Sequence, residues 1–238
     1  MLARERYNQL VTDRRQFLDK AVDCSELTLP YLIQDDTTSK PTHETLRIPW
    51  QSVGSKCVVG LAAKLMLAIL PPQGSFFKLQ VRQDKLGEDL PPEAMSEMEL
   101  SLSKMERMVM DYIAASNDRV VIHQALKHLI VGGNALLFMG KDGIKNYPLN
   151  RYVVNRDGNG NVTEIVTKEL IHKTLLPPSH KQPVDYNNDG TSDENEVAIY
   201  THVKRDGNRW VWCQECYDEI IAGSESKAPI DASPWLVL

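Results

Sequence analysis

DYNNDGTSDENE, residues 185–196, places Asp185, Asn187, Asp189, Gly190 and Glu196 at loop positions 1, 3, 5, 6 and 12. That is the spacing at which alternate oxygen donors and a twelfth carboxylate can wrap a hard cation such as calcium. The surroundings point the other way: Pro177, Pro178 and Pro183 come before it, a strand-like run follows, and Ser192 stands where such loops bury an aliphatic side chain. The segment is read as a solvated acidic loop, and a calcium-dependent binding module on Asp185–Glu196 is kept as the alternative function. Cys213 and Cys216 have the spacing of half a zinc knuckle, but no second pair follows, and His202 lies on the strand before the intervening turn. His123 and His128 are five residues apart, so they do not stack on one helical face, and His172 stands alone. No metal ligand, cofactor site or catalytic residue is assigned.

Gly132 and Gly133 lack the GK[ST] of a phosphate loop, and the glycines of DGNGN, residues 157–161, lack the strand-turn-helix setting of a dinucleotide site. Paired carboxylates such as Glu97 and Glu99 read as a solvated helix face, so a nuclease or hydrolase has no constellation behind it. With 27 basic and 32 acidic residues, the chain has a net charge of -5 and offers no basic stripe for gripping phosphates. Four cysteines in 238 residues fit a reducing cytosol, and the charged N-terminus has no export signal. An apolar run from Cys57 to Leu70 is broken by Lys64 and falls short of the roughly 20 residues a membrane helix needs.

Positioning falls to helices first and strands later. Tyr7, Leu10, Val11, Leu18, Ala21 and Val22 share one face of an amphipathic helix that should reach about Cys24, followed by an extended loop to Trp50. Residues 53–70 form a helix with hardly any polar face except Lys64, so protein is expected to cover it on all sides. Pro71 and Pro72 end it, since proline removes a donor and disfavours helical torsions before it. Phe76, Phe77, Leu79 and Val81 alternate like a strand. A long helix from Pro91 to about Ser116 carries Met98, Leu102, Met105, Val109, Tyr112 and Ile113. It should pair, as an antiparallel hairpin, with a second helix capped by Asn117 or Asp118 and ended by Gly132-Gly133. After Tyr147 the texture turns to β-hairpins at DGNGN and at Asp206-Gly207-Asn208. The fold class is α+β.

Specific wording adds to these patterns. PWQSVGSK at 49–56 with LAAKLMLAILP at 61–71 resembles the signature near the N-terminus of head-to-tail connector proteins, the portals of short-tailed bacteriophages. MERMVMDYIAASNDRVVIHQALKHLIVGGNALLFM at 105–139, YVVNRDGNGNV at 152–162 and IYTHV at 199–203 resemble the same family in the same order. The resemblance implies a non-enzymatic structural subunit of a dodecameric homo-oligomer at the capsid vertex, assembled in the host cytoplasm and carried in the virion. Its partners would be capsid and scaffolding proteins, the terminase during packaging and tail adaptor proteins. Double-stranded DNA would pass through the channel without sequence-specific contact, and no membrane would be involved. Residues 1–146 would form a mainly helical wing part and 147–238 a β-rich wing part, ending before the stem, clip and crown. Within it, Trp50 would anchor the entry of the apolar helix.

Overall fold

The computed structural model describes residues 2–34, 49–72, 74–81, 91–177 and 196–238. Its helices are α1 (Ala3–Asp13), α2 (Arg15–Leu27), α3 (Val53–Ile69), α4 (Pro92–Ala115) and α5 (Asp118–Gly132). The strands are β1 (Leu136–Gly140), β2 (Gly143–Tyr147), β3 (Tyr152–Arg156), β4 (Val162–His172), β5 (Glu196–Asp206), β6 (Arg209–Cys216), β7 (Glu219–Ile220), β8 (Ser226–Pro229) and β9 (Trp235–Val237). All described pairings are antiparallel, and the class is α+β as the sequence indicates.

The larger sheet runs β3-β4-β5-β6-β7, with β8 also on β6, and its side chains alternate between two cores. Tyr152, Ile165 and Val203 enter the main core with Leu29, Ile33, Val58, Leu136, Tyr147 and Trp235. Their neighbours in sequence or register, Val153, Val166, Ala198 and Tyr200, face the other way onto Ala3 and Tyr7 of α1. Both expected hairpins form. In the first turn Asp157 Oδ1 accepts from the backbone N–H groups of Asn159 and Asn161, at 2.9 and 2.8 Å. A smaller sheet, β2-β1-β9, joins the end of α5 to the last strand of the chain, and Ala135 and Leu238 exchange backbone hydrogen bonds there.

Several expectations need correction. The first helix is two helices extending to Leu27, bent at Arg14 (φ -99°, ψ 6°). The cause is a change of neighbour: α1 lies over β3, β4 and β5, whereas α2 packs on α5. Arg14 marks the bend, donating through Nη2 to the Leu149 carbonyl at 2.7 Å with its guanidinium over the Tyr152 ring.

Helix α3 has the expected limits, but the chain does not sheathe it. Val58, Ala62 and Leu70 are buried and Leu65 and Met66 half-buried, while Val53, Val59, Leu61, Leu67 and Ile69 are 41–60% exposed. Its main neighbour is α5, with Gly54 close against Leu27 and Thr28 and Val58 in the core beside Leu29 and Ile33, so the cover reaches one side of the helix. Trp50 is fully exposed, so it does not anchor the helix entry. The C-terminal end is instead held by Arg119, whose Nη2 donates to the Leu70 carbonyl.

Residues 76–81 pair with no described strand; alternation without a neighbouring ladder yields only an extended segment, tied where Leu79 N–H donates to Glu106. Helices α4 and α5 follow each other across Ser116 and Asn117 as expected. The buried side of α5 is spent on α3, α2 and β2, however, and α4 has no buried side chain among its described residues.

Candidate interaction surface

The residue types most able to do chemistry come together beneath α1. Glu164 and His202 are diagonal neighbours on one face of β4 and β5, because Val166 is the residue directly opposite His202. Arg6 of α1 reaches over them, and its Nε and Nη2 donate to Glu164 Oε2 at 2.9 and 2.8 Å, while His202 Nε2 bonds Glu164 Oε1. Burial pushes the Glu164 carboxyl up, but hydrogen bonds from Arg6 and His202 outweigh it and hold the group below the ordinary carboxylate range. Burial lowers His202, and the Glu164 bond offsets part of that. A carboxylate saturated by a guanidinium and an imidazole has little basicity left to lend a substrate. The cluster is a fastening, and further ties join it: Ala3 N–H to Glu215 at 2.6 Å, Arg4 to Asp218 at 3.0 Å and Tyr7 OH to the Asn150 carbonyl at 2.8 Å.

Cys213 lies opposite His202 in the β5–β6 register. Burial, then Glu215, raises its thiol, the reverse of what a nucleophile or thiolate ligand needs. Cys216 is buried among Val197, Tyr217 and Ile221, and neither cysteine is in a disulfide. The CxxC spacing in a strand sends its two members to opposite faces, which is why they do not converge. His123 and His128 occupy different surroundings on α5, and His172 caps the short turn at 173–175, its Nδ1 2.8 Å from Thr174 Oγ1. Among the described residues no three histidine, cysteine or acidic side chains are grouped to hold a metal. The calcium-type loop, apart from Glu196 at the start of β5, lies outside the described residues. Glu97 and Glu99 are exposed on α4 as expected.

The unspent surface is apolar and helical. On α3 the exposed side carries Val53, Cys57, Leu61, Lys64 and Leu67 at helical spacing. On α4, Met105, Met108 and Tyr112 are 50–63% exposed. Trp50 and Phe76 add to the same helical part of the chain. Apolar side chains exposed together along one helix face are the kind of surface that proteins use for contact. Among the described residues no helix is long and apolar enough to cross a membrane. Sequence reading missed it because an all-round apolar helix reads as buried when its neighbours are unknown.

The chain is thus an α+β protein whose described polar clusters are internal ties and whose apolar helices α3 and α4 stand largely uncovered. It belongs to the bacteriophage head to tail connecting protein family, whose profile matches residues 2–228. It is 34% identical over 242 residues to the portal protein of Enterobacteria phage T3, covering 98% of this chain and 45% of the relative. The portal protein of Escherichia phage T7 is 30% identical over 243 residues, with the same two shares, and that of Enterobacteria phage SP6 is 29% identical over 232 residues, covering 94% and 44%. The chain therefore spans less than half the length of these relatives.

Proposed function

We propose that the chain is the N-terminal, wing-forming portion of a phage portal subunit, acting by architecture in a closed ring at the capsid vertex. The observation that carries this reading is the family match over residues 2–228 in a chain that leaves α3 and α4 uncovered. A closed ring needs two different, complementary faces on every subunit, because each interface is heterologous and closes by rotation. The ring gives the genome its passage during packaging and ejection, with the terminase on one side at packaging and tail adaptors added later. Capsid and scaffolding proteins meet its periphery. The acidic balance of this portion suits a wall that lets DNA slide past without gripping its phosphates. Mass photometry and particle images test the reading: an annular species near twelve subunits is expected, and a chain that stays monomeric at every concentration overturns it.

A further inference from the structure

Helices α1, α2, α3 and α5 each lend side chains to a hydrophobic core: Ala3 and Tyr7 from α1, Ala21 from α2, Val58 from α3 and Ala125 from α5. Among the described residues, no side chain of α4 belongs to any core cluster, and none is buried. Packing of an amphipathic face supplies most of a helix's stability in a folded protein, so α4 has to draw on its own turns. Those give mixed support. A proline start and Glu93 in the first turn favour the helix. Against that, Glu93 and Glu97 are like charges one turn apart, and Arg107 precedes Asp111, the less favourable order for an ion pair. Among the described residues, the tie that reaches α4 from another segment is the Leu79 N–H to Glu106.

Melting of α4 also has a place to stop. Ser116 is extended (φ -84°, ψ 167°), which interrupts the helix before α5 begins. The first turn of α5 is fastened elsewhere: Asp118 Oδ1 accepts the Ile144 N–H of β2 at 2.8 Å, and Arg119 donates to the Leu70 carbonyl at the end of α3. Neither bond passes through α4. We infer that α4 is an order–disorder element, a helix that melts and re-forms on its own in the free subunit while the other helices and both sheets stay folded. Every core cluster survives its opening, because none includes it. Segments with few buried contacts open at low free energy, and switching transitions draw on such segments. The property belongs to a single copy, so it goes beyond the ring reading, and its failure would leave that reading standing.

Amide hydrogen exchange tests it on the full 238-residue chain, at a concentration where mass photometry shows monomer. A buried apolar side chain shifts an opening equilibrium roughly tenfold or more, so α4 amides should exchange at least about a hundredfold faster than those around Ala125 and Leu126 of α5. In a second arm, Ser101→Ala with Ser103→Ala raises helix propensity at two exposed positions. It should slow α4 exchange about fivefold. The urea midpoint followed by tryptophan fluorescence should stay where it is, since Trp210 and Trp235 report the main core. Equal protection of α4 and α5 overturns the inference. So does a double variant that leaves α4 exchange unaltered, or one that raises the urea midpoint, because α4 would then unfold only together with the core.

Discussion

His128 illustrates how much of this molecule rests on single polar groups in apolar surroundings. It is 4% exposed on α5, its Nδ1 is buried without a hydrogen-bond partner, and burial moves it down to about 4. A histidine lowered in the folded state makes the unfolded chain the better proton binder once pH drops below about 6.5. Stability is therefore full above that value and declines as pH falls towards about 4, by on the order of 3 kcal/mol for this group. Urea midpoints between pH 7 and pH 4 should fall for the parent, and His128→Gln should flatten the slope. Glu164 acts in the same direction at lower pH, since its depressed carboxyl contributes above its unfolded value and loses that contribution as pH falls through the folded one. Glu164→Gln keeps the shape but weakens all three charge-assisted bonds, two to Arg6 and one to His202; a loss of about 1–3 kcal/mol by urea unfolding is expected. None of these partnerships was legible in the sequence. Arg6, Glu164 and His202 are separated by as many as 196 residues, and strand register brings them together.

At the level of elements, local chemistry carried further. The proline start of α4, the Gly133 stop of α5 in the left-handed region (φ 69°), and both hairpin turns stand where residue type places them, because each depends on torsions within a few residues. Asp118 shows where this reasoning stops. As a helix-start residue it reads as a cap, yet its carboxylate is buried and Oδ1 accepts the Ile144 N–H at 2.8 Å, tying α5 to β2. Gly143 (φ 117°) lets the strand come that close, since a Cβ there would sit 3.0 Å from Oδ1. Asp118→Ala should cost about 1–3 kcal/mol in urea unfolding, and Gly143→Ala should destabilise as well, by strain and by crowding the same atom. Trp235 is the corresponding anchor for β9, packed at 4.5 Å between ring centroids on Phe138 and at 5.9 Å on Tyr147. Trp235→Ala should remove about 3–5 kcal/mol and expose the β1 edge, read as faster hydrogen exchange at Leu136–Phe138.

For the whole molecule, the decisive property is which apolar surface remains once the chain has folded. Met105 and Met108 contribute little to the folded monomer, so Met105→Gln with Met108→Gln should leave the urea midpoint within about 0.5 kcal/mol of the parent. The same pair should shift mass photometry towards monomer, a separation of assembly from stability that a core residue could not give. Residues 53–70 could be read as a charge-poor helix ended by Pro71-Pro72 from the chain alone, because propensity and punctuation are local. Whether that helix is sheathed could not, because burial depends on which elements arrive beside it, and α5 brings only one side's worth of cover. Family membership follows from the order of residues along the chain. The bare faces of α3 and α4 are properties of the folded arrangement, since a hydrophobic side chain is a core residue or a docking residue only by virtue of what has packed against it.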